Sequence, residues 1–266
     1  MIRTPLAWRI AVHVVAGLVL AFLVLPILVV VPAAFNETSY IRLPPEDLSL
    51  RWFVSFFDDR EWVSSLLNSL KIAALTTAFT VLLGTLAALG LDRTEGRARR
   101  VLTGLFLAPL IVPVIVTAVA LYYVSQRMGL VGTALGLGLG HALLCLPFVV
   151  INVAISLRSV DPSWRRAAEG LGAGPLTVFR TITLPNIVPG ILGGAVFAFV
   201  TSFDEVVISV FLAGLWSKTL PVKMWETIRL EFTPSVAVAA TFIIVLTVVL
   251  FGLARALGAG QAGASR

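Results

Sequence analysis

The chain has 266 residues, 58% of them hydrophobic and only 13% charged, with a mean hydropathy of +0.99. Soluble domains carry about 25% charged residues, so this composition excludes one and indicates a polytopic membrane protein. The net charge of +6 is read as a property of membrane loops and not as a nucleic-acid footprint, and the single Cys145 excludes a disulfide within the chain.

Taken in order, the first apolar span runs from about Ile10 to Ala34 behind Arg3 and Arg9. It exceeds the ~7–15 residue core of a signal peptide, and is read as a retained anchor. Residues 35–62 carry three arginines against six acids, which suits an outer segment, with Trp52 and Trp62 at the interface and a short surface helix over 50–57. The second span, about Ser64 to Leu91, has Asn68 and Lys71 near its outer end and leads into the basic loop DRTEGRARR. The third span, about 101–124, contains Pro109 and Pro113, which predict a bend. A glycine-rich approach opens the fourth span, which holds Pro147 and ends near Leu157. The fifth runs from about Asn186 to Leu212, with Gly190, Gly193 and Gly194 available for close helix approach. Residues 213–233 return to the outer side with Trp216 and Trp225, and the sixth span is about 235–254.

The predicted fold class is therefore all-α with six transmembrane helices: a cytoplasmic N-terminus over 1–9, a membrane domain over 10–257 and a disordered tail over 258–266. Twelve of the twenty Lys and Arg fall in the proposed cytoplasmic segments and seven in the outer ones, which predicts both termini inside.

The stretch from Asp161 to Ile191, within and just beyond the loop 158–185, is the longest interruption that reads as both positively charged and structured. Asp161 is placed to cap a helix, Pro162 fits its first turn and Gly172 its left-handed stop. Trp164, Ala167, Ala168 and Leu171 form one apolar stripe, while Arg165, Arg166 and Glu169 point elsewhere. A helix of about ten residues is marginal alone in water, so it either docks against a partner or lies on the bilayer surface.

No G-x-x-x-x-G-K-[ST] sequence occurs, so the chain is not read as a nucleotidase or other enzyme. His13 and His141 lie in different spans without a ligand cluster, so no metal site is predicted and His141 is read as a packing residue. Asp204 and Glu205 are the sharpest intramembrane feature. Each carboxylate at membrane depth costs ~2.5–3.5 kcal/mol and belongs in a bundle interior or a wet cavity. Nineteen residues separate Pro185 from Asp204, about 28 Å of helix, which puts the pair in the outer half. Adjacent helical positions diverge by about 100°, so the two acids are expected to have different neighbours. Either they line a pathway for a cationic solute, or Lys71 or a partner helix neutralises them. Trp52, Trp62, Trp216 and Trp225 fit interfacial anchors or an amine cage. Asp58, Asp59 and Glu61 fit a docking patch or a solvated loop.

Ala167-Ala168, three residues, Gly172, nine residues and Ile182-x-Leu184-Pro185 together resemble the EAA loop of ABC importer permeases. Arg166 departs from that pattern, standing where the family usually has its glutamate, which puts the glutamate's salt bridge in doubt. The resemblance implies a type I ABC importer permease fold in an inner membrane, with residues 161–172 as the coupling helix seated in a cytoplasmic ATPase. It implies a second homologous permease subunit, an ABC ATPase dimer that binds ATP and Mg, and a periplasmic solute-binding protein; this chain itself would hold no cofactor. TSFDEVVISVFLAG and LPVKMWETIRLEFTPSVAVAAT resemble the spermidine/putrescine branch, specifically its second permease subunit. Relatives of that branch carry opines, aminobutyrate or phosphonates, which stay open as alternatives. A self-sufficient secondary transporter would require internal inverted repeats, and none is evident.

Overall fold

A computed structural model describes residues 6–40, 44–45, 47–230 and 233–264. Arg3, Arg42, Glu46 and Arg266, used in the charge count, lie outside the described residues. The described residues are helices and turns with one isolated antiparallel bridge, Asn36 to Leu48. The helices are α1 (Leu6–Ala33), α2 (Arg51–Asp58), α3 (Arg60–Asp92), α4 (Gly96–Leu107), α5 (Val114–Arg127) and α6 (Ala134–Arg158). There follow α7 (Pro162–Gly170), α8 (Pro175–Val178), α9 (Leu184–Phe203), α10 (Val207–Leu212), α11 (Leu220–Leu230) and α12 (Pro234–Ala264). The backbone of α12 is helical through Ala264, into the segment expected to be a disordered tail.

Five helical runs are long and apolar enough to cross a bilayer: α1, α3, α6, Pro175–Phe203 and the first part of α12. A sixth crossing results when the pair Gly96–Leu110 and Val114–Arg127, bent by 97°, counts as one span. Pro109 sits in the short 3₁₀ turn between them and Pro113 caps α5; neither ring nitrogen can donate to the helical ladder. The bend expected at these prolines is thus a full break.

The fifth span differs from expectation at both ends. Its helical run starts at Pro175, because a π turn over Phe179–Thr183 joins α8 to α9 and absorbs Pro185, the residue that had marked the boundary. It stops at Phe203, nine residues early, and resumes as α10.

The chain forms two compact units, one from residues through Val63 with Glu226–Leu246, the other from Ser64–Trp225 with residues from Thr247 onward. In the first unit, Phe56 and Trp62 are buried, and the Phe56 ring packs against both Phe242 and Trp62, with centroids 5.4 and 5.3 Å away. Trp62 is therefore a core residue and neither an interfacial anchor nor a cage wall. Asp59, a candidate docking acid, caps α3 by accepting the Glu61 and Trp62 N–H groups at 2.7 and 3.4 Å.

In the second unit α6 is the central helix. Cys145, Val149, Val153 and Leu157 pack with Ala88, Ile187 and Ala198. Two of the three expected glycines set the α6–α9 approach: a Cβ on Gly190 would lie 2.6 Å from the Asn152 carbonyl oxygen, and one on Gly194 2.9 Å from the Val149 Cα. Both obstacles are backbone and cannot rotate away. Gly194→Val is expected to destabilise the chain by ~1–3 kcal/mol, or roughly 2–12 °C in a detergent unfolding scan. An unchanged transition would mean that α6 and α9 are not packed this closely.

Candidate functional site

The loop expected to couple the chain to a partner is a capped helix. Asp161 accepts the Ser163 N–H at 2.8 Å, and Pro162 occupies the first turn. This backbone bond, helped by the Ser163 side chain and the Arg166 charge, holds the Asp161 carboxyl below its usual range. A lowered value means that the charged cap is in place above the ordinary carboxylate pKa of ~3.9 and is lost only as pH falls through the lower folded value. At the other end Gly172 adopts φ +87°, its N–H donates to the Glu169 carbonyl at 2.9 Å, and the Ala173 N–H to the Ala168 carbonyl at 3.0 Å. These paired bonds define a Schellman stop, which needs a residue at ease with positive φ.

The helix buries little of its own surface. Trp164 is 52% exposed and Leu171 89% exposed; Arg166, Ala167 and Glu169 are also exposed, and Ala168 is half-buried. Arg165 behaves differently from Arg166. Its Nη1 donates to Asp92 Oδ2 at 3.0 Å, linking α7 to the end of α3 across 73 residues of sequence. The pair borders a hollow of about 380 Å³ shared with Arg93, Glu169, Phe179 and Thr183.

The second candidate lies where the fifth span breaks. Asp204 and Glu205, adjacent in sequence, take opposite environments, and both lie in the break between Phe203 and Val207, not on a continuous helix. Asp204 is exposed; its N–H donates to the Val200 carbonyl at 3.1 Å, while its carboxylate makes no hydrogen bond or ion pair among the described residues. Glu205 is buried. Its Oε1 accepts the Val207 and Ile208 N–H groups at 2.9 and 3.0 Å, and its Oε2 accepts the Ser209 N–H at 3.1 Å. His141 Nε2 stands 3.4 Å from Oε2 and 3.1 Å from Ser209 Oγ, while its Nδ1 is 2.9 Å from Ser202 Oγ. Ser202 Oγ donates to Thr76 Oγ1 at 3.1 Å, and Thr76 donates to the Gly138 carbonyl at 3.1 Å. This direction of donation leaves Ser202 Oγ as acceptor, so His141 Nδ1 carries the proton. Lys71 is exposed and pairs with neither acid, so it is not the neutralising group.

Asp92, Thr76, Ser202 and Ser209 were not singled out from the sequence, and His141 was read as packing alone. For Thr76, Ser202, Ser209 and His141 the available signal is polarity at membrane depth: each needs a partner there, and Glu205 is the conspicuous group in want of one.

Residues 80–262 match the family described as binding-protein-dependent transport system inner membrane component. The chain is 30% identical over 237 residues to the spermidine/putrescine transport system permease protein PotC of Haemophilus influenzae, covering 89% of this chain and 92% of that one. It is 34% identical over 251 residues to the putrescine transport system permease protein PotI of Escherichia coli, covering 92% and 87%. In fold it is similar to a bacterial ABC transporter involved in the import of the acidic polysaccharide alginate, with TM-score 0.73, 15% identity and coverage of 95% of this chain and 99% of that one.

Proposed function

Because the chain belongs to the family of binding-protein-dependent transport system inner membrane components, we propose that it is one of two permease subunits of an ATP-driven importer for a small cationic solute of the spermidine/putrescine kind. It forms half of the translocation pathway, and a second, homologous permease forms the other half. A cytoplasmic ABC ATPase dimer binds ATP and Mg, and a periplasmic solute-binding protein delivers the solute. The membrane domain is residues 10–257, with both termini and the 158–185 loop on the cytoplasmic side, an orientation that the twelve-to-seven distribution of Lys and Arg favours.

The observation that carries this reading is the exposed face of α7. A nine-residue helix with both ends capped keeps Trp164 and Leu171 open. A rigid apolar stripe of this kind on a short helix fits a protein groove, the helix-in-groove mode of recognition. Trp164, Arg166, Ala167, Ala168, Glu169, Leu171 and Gly172 make that surface, and Arg165 ties it to its own chain. Asp204, exposed at the break in the fifth span, supplies the negative charge that favours a cationic solute, and this supports the polyamine class carried by the relatives named above.

The test is mild-detergent purification of the tagged chain from native membranes, followed by reconstitution and uptake of labelled putrescine and spermidine. Recovery of an ATPase and a second permease, with ATP-dependent uptake of either amine, is expected. Intact chain recovered alone and still transporting would replace the importer with a secondary carrier. An intact complex that ignores both amines but imports an opine, aminobutyrate or phosphonate would overturn the solute class alone.

A further inference from the structure

The fifth span is interrupted at 204–206, although no proline or glycine stands there. In a continuous helix the N–H groups of Val207, Ile208 and Ser209 would donate to the carbonyls of Phe203, Asp204 and Glu205. All three donate instead to the Glu205 carboxylate. Charge-assisted bonds of this kind are stronger than the neutral main-chain bonds that they replace. His141 then bridges the break from α6: it touches Ser202 on the α9 side, and Ser209 and Glu205 on the α10 side. Thr76 on α3 ties the same cluster to a third helix through Ser202. Every member of this cluster is buried, and Asp204 beside it is exposed.

We propose that Glu205 is a positioning residue: its carboxylate replaces three rungs of the helical ladder beside the buried His141, and holds the break open so that the neighbouring Asp204 faces the solute path. The inference rests on the reading that Asp204 lines that path, and it removes Glu205 from the set of solute contacts. Without the carboxylate, three buried N–H groups lack acceptors, and the nearest are the carbonyls one turn back. The helix then closes through 204–206, and residue 204 turns with it.

Cysteine reactivity in the full chain, kept in native membranes, tests this, because the single native Cys145 is buried and gives little background. Asp204→Cys is treated with a cationic, water-soluble methanethiosulfonate. Reaction is expected to be rapid with Glu205 present, about tenfold slower in Asp204→Cys/Glu205→Ala, and within about threefold of the parent in Asp204→Cys/Glu205→Gln, which keeps one acceptor oxygen. Should the alanine variant not accumulate, Glu205→Asp, one methylene too short to hold all three N–H groups, replaces it with the same slowing expected. A reaction rate in the Glu205→Ala or Glu205→Asp background equal to that of the parent would overturn the positioning role alone. An Asp204→Cys that fails to react even beside Glu205 would instead overturn the placement of Asp204 in the path, and this inference with it.

Discussion

Gly172→Pro is expected to cut ATP-driven uptake at least about tenfold while the amount of chain in the membrane stays unchanged, because proline fixes φ near −65° and has no N–H. Gly172 adopts φ +87° and donates its N–H to the Glu169 carbonyl. Proline can do neither, so the last turn of α7 loses its stop and Leu171 leaves the stripe that it shares with Trp164. Membrane insertion is spared, since α7 has no buried residue and lies outside every apolar span. Alanine grades the effect. A Cβ at Gly172 meets nothing within 4 Å, so Gly172→Ala carries only the backbone cost of the left-handed conformation, ~1–2 kcal/mol. Intermediate uptake is expected from it. Normal uptake by the proline variant, measured against chain abundance in the same vesicles, would show that α7 is not the coupling element.

Much of the architecture was legible because hydropathy and punctuation agree. α1, α3, α6 and α12 follow from unbroken apolar runs, and the break after Leu110 follows from two prolines that cannot join a ladder. The cap, stripe and stop of α7 were legible for the same reason: Asp161, Pro162 and Gly172 act within one or two turns of themselves. Errors arose where the decisive contact is distant. Nothing in Phe203-Asp204-Glu205-Val206 marks the end of a helix; the Glu205 side chain caps the next segment, beside a His141 that lies over sixty residues earlier and bonds Ser202 and Ser209 across the break. Trp62 shows the same limit, since an aromatic flanked by charges reads as interfacial until it is found buried against Phe56.

The candidate site divides along the same line. The expectation that Asp204 and Glu205 have different neighbours rested on a continuous helix, which ends at Phe203, and it could not say which of the two is buried. It likewise could not separate Arg165 from Arg166. Both lie off the apolar stripe, and only the position of Asp92 at the end of α3 turns one inward and leaves the other exposed. A signal pointing to Asp92 was weak, since an acid at the end of a span ordinarily reads as solvated.

That distinction carries the second large effect. Reversing either charge of the Arg165–Asp92 pair is expected to reduce uptake by about fivefold or more, while thermal stability changes little, because a pair this exposed contributes ~0–1 kcal/mol to folding. Arg165 and Asp92 are 28% and 29% exposed, with Nη1 and Oδ2 3.0 Å apart. The pair matters for position more than for energy: α7 projects from the chain with its apolar face open, and this contact fixes it to α3, a membrane-crossing helix. In the proposed coupling, a push from the ATPase on α7 would reach α3 through this guanidinium–carboxylate link. Arg165→Asp places two carboxylates together and opens the link, as Asp92→Arg does with two guanidinium groups. The doubly reversed chain, Arg165→Asp with Asp92→Arg, restores opposite charges at the same two positions and is expected to recover at least about half of the lost uptake, as a direct pair should in a double-mutant cycle. Arg166→Asp is the matched control at an exposed neighbour, and it tests docking on the partner without touching the link. Single reversals that transport normally, or a double reversal that adds the two defects together, would show that force does not pass from α7 to α3 through these side chains.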